Sequence, residues 1–82
     1  MKKVDKKEIK EIIAKVARID ISKIDDNTSL RDELFIDSLQ GIQIMSKIDE
    51  KYEIKIGEVE IFNVDNVDDI IELINEYKES IW

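Results

Sequence analysis

The sequence contains no cysteine and no histidine, two of the side chains that most often perform chemistry in proteins. Without cysteine the chain has neither a disulfide framework nor a thiolate nucleophile. Without histidine it lacks the commonest general base and the commonest metal ligand. An enzyme would have to work with carboxylates, amines and hydroxyls alone, in a chain of 82 residues that has little room for a deep cleft.

Proline is also absent, and glycine occurs only twice, at Gly41 and Gly57. Because these two residue types break helices most strongly, their scarcity favours a helical protein. The hydrophobic fraction of 43% is ordinary for a globular domain and argues against wholesale disorder. No long apolar run occurs, so we expect neither a signal peptide nor a membrane span, and a cytoplasmic protein. Residues 1–82 are predicted to form a single domain.

The net charge of −7 is unevenly distributed along the chain. Residues 1–23 hold eight basic and four acidic side chains, whereas residues 24–82 hold five basic and sixteen acidic ones. A phosphate backbone would repel a chain this acidic, so we do not expect nucleic acid as a partner. Proteins with basic docking patches are the natural complement, with solubility alone as the alternative reason for the acidic balance.

Three segments show the helical period in their apolar residues: Asp5–Arg18, Ser38–Tyr52 and a last helix that begins after Asn66. Asp37 is the predicted N-cap of the second helix, with Gln40 as its capping-box partner three residues later. Spacings of three and four residues define the predicted buried face of that helix, which consists of Leu39, Ile42, Met45, Ile48 and Tyr52. The last helix has a similar stripe, formed by Val67, Ile70, Ile71, Ile74 and Tyr77.

A long connection without regular structure is predicted between the first two helices, over Ile19–Ile36. Its recurring apolar residues could pin it onto the helices; they are Ile21, Ile24, Leu30 and Leu34. Within it, Asp25–Ser29 has the short polar side chains of a turn. A short third helix is predicted over Glu58–Asn63, with Val59 and Phe62 facing inward. The chain therefore reads as an all-α four-helix bundle, with three main helices, a short third helix and a long first loop.

Ser38 is the most informative residue, because its hydroxyl lies where the long loop meets the second helix. Unpaired N–H groups and the helix dipole favour negative charge at such a junction. A phosphate group attached to this serine would therefore be well placed. The alternative is an ordinary serine at the start of a helix, which is a common position for that residue.

With this layout the chain resembles the acyl carrier protein family, including the carrier domains of polyketide and nonribosomal peptide assembly. The family signature is an Asp-Ser-Leu triplet at the start of the second helix, here Asp37, Ser38 and Leu39. An Asp-Leu-Gly-x lead-in precedes it in the family, and Glu33–Ile36 occupies that place here. Phe35 replaces the glycine, so we expect the loop before the serine to be shaped differently. The resemblance extends over most of the chain.

The resemblance implies that Ser38 receives 4′-phosphopantetheine from coenzyme A, in a reaction catalysed by a separate phosphopantetheinyl transferase. The thiol of that arm would carry acyl or aminoacyl groups as thioesters to loading, synthase and transferase enzymes of fatty acid, polyketide or related biosynthesis. Asp37 and Leu39 would flank the attachment site. The chain would be a monomeric carrier and would catalyse nothing itself, and the lack of cysteine fits because the working thiol lies on the arm.

Candidate docking residues lie around and along the second helix: Phe35, Gln43, Ile44, Asp49 and Glu50. Ile44 is off the predicted apolar stripe and is expected to be exposed, with core packing as the alternative. For the polar members the alternative is an ordinary solvated face. We predict no metal site, because the acidic residues of the first loop lack the spacing of a calcium loop.

Two features of the sequence bear on the type of carrier. Residues 38–52 have no net charge, and Ile61–Val67 resembles the Leu-Phe-x-x-Pro-Thr-Val stretch of assembly-line carriers without its proline. Both favour a specialised free-standing carrier over the housekeeping fatty-acid type. Two other readings stay open: a hydrolase built on Ser38, and an unmodified protein-interaction module that retains the carrier fold, with Phe35 marking lost modification.

Overall fold

The computed structural model describes residues 4–80, excluding the side chains of residues 58–59 and 78–80. Helix α1 spans Lys6–Ala17, α2 spans Ser38–Tyr52 and α3 spans Val67–Ser80. Two short 3₁₀ helices lie at Ile21–Lys23 and Glu58–Asn63, and the described residues contain no strand. The all-helical prediction is confirmed. The short helix has the predicted bounds but is 3₁₀ rather than α, and the orientation predicted for Val59 falls on an undescribed side chain.

Helix α1 begins and ends where its flanking residues satisfy free backbone groups. The Asp5 carboxylate accepts a hydrogen bond from the Lys7 N–H at 2.9 Å, which caps the start. Arg18 takes the left-handed conformation, with φ of 58°, and its N–H donates to the Ala14 carbonyl. Ile9 and Ile13 are fully buried, so one face of this helix supplies part of the core.

The long first connection is held at several points, as predicted, but it is not wholly irregular, because Ile21–Lys23 forms a 3₁₀ helix. Of the four apolar residues expected to pin it, Ile24 and Leu30 are buried, whereas Ile21 and Leu34 are only half-buried. The Asp25 N–H donates to Thr28 Oγ1 at 2.8 Å, which closes the expected polar turn. The Leu30 N–H donates to the Asp65 carbonyl at 2.7 Å, and the Ile36 N–H donates to the Leu30 carbonyl at 2.8 Å. Ile24, Leu30 and Ile36 are buried, so the segment is fixed before the chain enters α2.

The buried face of α2 differs from the predicted one. The buried residues of this helix are Gly41, Ile44, Met45, Ile48 and Tyr52. Leu39 was predicted to be in the core but is 64% exposed, and Ile42 is only half-buried. The reason is geometric, because each step of three residues turns back about 60° on a helix of 3.6 residues per turn. Because the predicted face advances by three residues at each step from Leu39 to Ile48, its first members lie on a different side of the helix from its last, and only the last face the core.

Helix α3 is capped by Asn66, as predicted, since the Asn66 side-chain oxygen accepts from the Asp69 N–H at 2.8 Å. Val67, Ile70 and Ile74 are fully buried and complete the core between the three helices. Ile71, by contrast, is only half-buried. No helix in the described part of the chain has the length and apolar content needed to cross a bilayer.

Ion pairs join the basic first segment to the acidic remainder. Asp26 lies 2.9 Å from the Lys6 ammonium and 2.8 Å from that of Lys10, and Lys6 also reaches Asp68 at 3.4 Å. Hydrogen bonds from Lys10 and Lys6 hold the pKa of Asp26 below its usual range, and bonds to the two aspartates raise the pKa of Lys6. The uneven charge seen in the sequence is thus partly cancelled where α1 meets the first loop and α3.

Candidate functional site

The start of α2 is set by Asp37 and Gln40. Asp37 has an extended backbone, and its carboxylate accepts from the Gln40 N–H at 2.8 Å. In return Gln40 Oε1 accepts from the Asp37 N–H at 3.3 Å, which completes the predicted capping box. The carboxylate of Asp37 is therefore engaged in holding the helix start.

Ser38 is the first residue of α2 and is exposed. The capping box uses the N–H groups of Asp37 and Gln40, so those of Ser38 and Leu39 have no acceptor within the helix. Two free donors and the positive end of the helix dipole surround the serine hydroxyl. The predicted placement of Ser38 at the open mouth of a helix is confirmed, and a phosphodiester on its oxygen would meet favourable electrostatics.

The loop before the serine contains an unusual residue, Phe35. Its backbone is left-handed, with φ of 54°, and its side chain is 81% exposed. The left-handed region is the one that glycine enters without steric cost. The sequence led us to expect a differently shaped loop because phenylalanine stands in the glycine position. The chain nevertheless adopts a glycine-type conformation there, between the half-buried Leu34 and the buried Ile36.

A small cavity of about 90 Å³ opens beside Ser38. Its wall includes Ser38 and Gly41 from α2, Ile36 from the loop, and Ile61 and Phe62 from the second 3₁₀ helix. Gly41 allows this 3₁₀ helix to approach closely, because a Cβ at that position would lie 2.9 Å from Ile61 Cγ1. The serine hydroxyl is thus next to a mostly apolar recess.

Three large apolar side chains are exposed among the described residues, and all three lie near this site. They are Phe35, Leu39 and Phe62, which are 81%, 64% and 50% exposed. Phe62 was predicted to be in the core and is not, because the 3₁₀ helix directs Ile61 inward instead, at 8% exposure. The sequence indicated Phe35 as a docking candidate but not its clustering with Leu39 and Phe62, because the exposure of those two side chains depends on tertiary packing.

The other docking candidates have different surroundings. Ile44 is fully buried, so its predicted exposure is wrong; it directly precedes Met45 on the true core stripe of α2. Gln43 and Glu50 are exposed, as a docking residue must be. Asp49 is only partly exposed, and its carboxylate accepts from the backbone N–H groups of Ile56 and Gly57 at 3.3 and 3.2 Å. Asp49 therefore holds the chain as it leaves α2.

Two acidic side chains of the first loop, those of Asp26 and Glu33, are used within the fold. Asp26 pairs with two lysines, and Glu33 accepts from the Ser29 N–H at 2.8 Å. Arg31, next to the cavity, donates to the Val64 carbonyl at 3.3 Å and lies 3.6 Å from Asp65. Across the part of the chain that the structure describes, no three acidic side chains converge as metal ligands.

A larger open depression, of about 990 Å³, is lined by residues of α1, of the second half of α2 and of the start of the first loop. Its floor includes Ile12, Ile19 and Ile21, and its rim carries both lysine and glutamate side chains. Glu50 lies on that rim, away from the serine. The sequence did not predict this groove.

Comparison with known proteins identifies the family of the chain. Residues 7–74 match the family model described as "Phosphopantetheine attachment site", which covers most of the chain and all of the site.

Curated relatives point to the same family. An acyl carrier protein of Brachyspira hyodysenteriae is 37% identical over 73 residues, which cover 88% of this chain and 94% of that protein. Polyketide-8 synthase acyl carrier protein 2 of Streptomyces avermitilis is 24% identical over 71 residues, covering 87% and 82%. The meromycolate extension acyl carrier protein of Mycobacterium leprae is 34% identical, with 87% of this chain and 62% of that protein covered. The chain therefore belongs to the acyl carrier protein family, and its function is to carry acyl intermediates on a 4′-phosphopantetheine arm.

Proposed function

We propose that Ser38 is the residue to which the arm is attached, and that residues 1–82 act as one carrier domain. The observation that carries this proposal is the exposed Ser38 hydroxyl at the mouth of α2. The surroundings fit the group: free helix N–H groups favour the phosphodiester, and the adjoining recess of about 90 Å³ is mostly apolar. Asp37 fixes the start of α2, and the exposed Leu39 is placed to contact an enzyme that approaches Ser38 from solvent.

Attachment is a phosphoryl transfer that this chain undergoes as a substrate. The Ser38 oxygen forms a bond to the phosphorus that carries the pantetheine group of coenzyme A. The pyrophosphate bond breaks, adenosine 3′,5′-bisphosphate leaves with the electron pair, and the serine proton passes to the transferase. The thiol of the arm then supplies thioester chemistry to partner enzymes.

The chain itself is proposed to have no catalytic activity. Neither histidine nor cysteine is available as a base or nucleophile. The nearest carboxylate in sequence, that of Asp37, is engaged with the Gln40 N–H and serves as a cap. Ser38 also lies on an open surface rather than in a water-excluding cleft, so a hydrolase built on it lacks its other parts.

Docking is proposed to use the exposed residues on and around α2: Phe35, Gln43 and Glu50. Asp49 is not among the proposed docking residues, because its carboxylate binds backbone N–H groups within the fold, and Ile44 is not among them because it is buried. The proposed partners are a phosphopantetheinyl transferase and enzymes that load, extend or transfer the cargo. The carrier itself is proposed to be a monomer and to act in the cytoplasm. The acidic balance of the chain disfavours nucleic acid.

The proposed pathway is fatty acid, polyketide or related biosynthesis, with a specialised free-standing carrier favoured. Support comes from α2, where two acidic and two basic side chains leave no net charge for a strongly basic partner surface to recognise. The similar proteins named above include both general acyl carrier proteins and a polyketide synthase carrier.

A second candidate function is an unmodified interaction module with the carrier fold. One observation favours it: Phe35 occupies the left-handed position that suits glycine and could obstruct the loading enzyme. In that case Ser38 would serve only as the first residue of α2.

The decisive experiment is intact mass measurement after incubation with coenzyme A, Mg²⁺ and a broad-specificity phosphopantetheinyl transferase. We expect the chain to gain one phosphopantetheinyl group and Ser38→Ala to gain none. Ser46→Ala is the matched control, because Ser46 is an exposed serine of the same helix, and it should be modified like the parent. No mass gain on the parent would favour the unmodified module, and a gain on Ser38→Ala would show that another residue carries the arm.

A further inference from the structure

Phe35 has a conformation that its own side chain disfavours. Among the described residues, three non-glycine residues have positive φ: Arg18, Phe35 and Glu53. Arg18 and Glu53 end α1 and α2, where a left-handed residue is the normal way to stop a helix. Phe35 ends no helix, and a bulky aromatic residue is a genuine outlier in this region.

Packing does not compensate for this conformation. The Phe35 side chain is 81% exposed, so it gains little from burial in the folded chain. Glycine would adopt the same backbone without strain and without an apolar ring in water. Residues held in such conformations cluster at functional sites, and an observed outlier of this kind licenses a functional hypothesis.

The position of Phe35 restricts what that function can be. Phe35 lies three residues before Ser38, so their Cα atoms are at most about 11 Å apart. An ordinary protein interface covers about 800 Å² on each partner, which corresponds to a disc of about 16 Å radius. An enzyme whose interface is centred on the Ser38 oxygen therefore covers Phe35 and Leu39 as well, and buries two exposed apolar side chains.

We propose that Phe35 is an apolar anchor for the transferase that attaches the arm, inserting into a hydrophobic depression beside that enzyme's active site. The inference rests on Ser38 being the attachment site. Exposed aromatic residues near the centre of an interface are the ones that contribute most to binding. An anchor role would account both for the left-handed backbone and for the exposed ring of Phe35.

A second copy of this chain is a poorer occupant of the same surface. Three exposed side chains, each offering no more than about 250 Å², supply less area than the roughly 800 Å² per partner of a stable interface. The transferase contributes the missing area because it must also surround Ser38 and hold coenzyme A.

The test uses three variants of the apo chain: Phe35→Gly, Phe35→Leu and Glu53→Gly. The last is the matched control, because Glu53 has the same φ of 54° and lies at the far end of α2. Thermal unfolding measures the effect of the backbone strain on stability. Docking is measured by the initial rate at which the broad-specificity transferase modifies the carrier, with coenzyme A saturating and the carrier concentration varied.

We expect Phe35→Gly to raise Tm by about 4 °C, because it removes the left-handed strain. The same variant should raise KM for the carrier by about tenfold with little change in kcat, because an aromatic anchor is lost. Phe35→Leu keeps an apolar side chain and should stay within about threefold of the parent KM. Glu53→Gly should raise Tm and leave KM unchanged.

Four results would overturn the inference. They are a KM for Phe35→Gly within twofold of the parent, equal KM increases for the glycine and leucine variants, a lower Tm for Phe35→Gly, and a dimer by light scattering that Phe35→Gly dissociates. Failure of the parent chain to be modified at all is a different result, since it would remove the attachment site itself. The two failures are therefore distinguishable in one set of assays.

Discussion

The two ends of α2 are built in opposite ways. At its closed end, defined as Asp49–Tyr52, the Tyr52 ring is 1% exposed, and its hydroxyl donates to Glu8 at 3.1 Å. Lys51 pairs with the same carboxylate at 3.2 Å, and Asp49 holds the chain that follows. At its open end, defined as Ser38–Gly41, Leu39 is 64% exposed and Ser38 faces solvent beside a small cavity.

The difference shows where this domain leaves an apolar side chain exposed instead of burying it. At the closed end Asp49, Lys51 and Tyr52 each have a partner within the fold, whereas the open end exposes Leu39, an apolar side chain that folding alone would bury. Natural sequences violate local rules mainly at functional sites, because something outside the folded chain supplies the missing contact. The contrast along one helix therefore favours the end that carries Ser38 as the functional one.

The largest test of this contrast compares two isomeric side chains on α2. Ile48→Ala removes a fully buried side chain and should lower the free energy of unfolding by about 3 kcal/mol. Leu39→Ala removes an exposed one and should change it by no more than about 0.5 kcal/mol. Urea unfolding followed by circular dichroism measures both. Comparable losses for the two variants would mean that Leu39 packs inside the domain and that the open end is not open.

Much of the fold follows from the sequence because capping chemistry is local. Asp37, Gln40 and Asn66 are short-range signals, and they correctly set the starts of α2 and α3. The same signals place Ser38 at a helix mouth without any knowledge of tertiary contacts. The buried face of α2 was harder to predict from the sequence. Apolar residues three apart occur on more than one face of this helix, and its contacts with α1 and the second 3₁₀ helix decide which face is buried.

The site could be predicted only in part. Ser38 and Phe35 stand out in the sequence, one by its position and the other by replacing a glycine. The exposure of Leu39 and Phe62 could not be predicted, since it depends on Gly41 admitting Ile61 and on the 3₁₀ geometry of the following segment. Ile44 was misplaced for the same reason, because its burial depends on the rotation of α2 about its own axis.

An intermediate effect is expected from closing the cavity at the open end. Gly41→Ala should gain about 1 kcal/mol in helix propensity, but its Cβ would lie 2.9 Å from Ile61 Cγ1. Such overpacking costs about 1–3 kcal/mol, so we expect a net loss of about 1 kcal/mol. Ser46→Ala, on the exposed face of the same helix, is the control and should be nearly neutral. If Gly41→Ala were instead more stable than the parent, the 3₁₀ helix would have to move away freely, and the recess beside Ser38 would be an adaptable surface.

The smallest effect concerns the closed end and appears only at alkaline pH. Burial raises the pKa of the Tyr52 hydroxyl, and the neighbouring Glu8 carboxylate adds to the increase. The folded chain then keeps a proton that the unfolded chain releases, so this group's contribution to stability is complete below about pH 10 and is lost as pH rises through the folded value. Tyr52→Phe should lose about 0.5–1 kcal/mol at neutral pH, because the Asp5 N–H and Glu8 each lose a partner.

Above about pH 10 the parent should lose the stability that depends on the protonated Tyr52 hydroxyl. Tyr52→Phe has no phenol at this position and loses nothing there, so the stabilities of the two proteins should converge as pH rises. Tyr77→Phe, on α3, controls for the general effect of removing a tyrosine. Thermal unfolding at a series of pH values gives the comparison directly. A gap between parent and Tyr52→Phe that stays constant across the alkaline range would show that folding does not raise the pKa of the Tyr52 hydroxyl, and would contradict its burial at the closed end of α2.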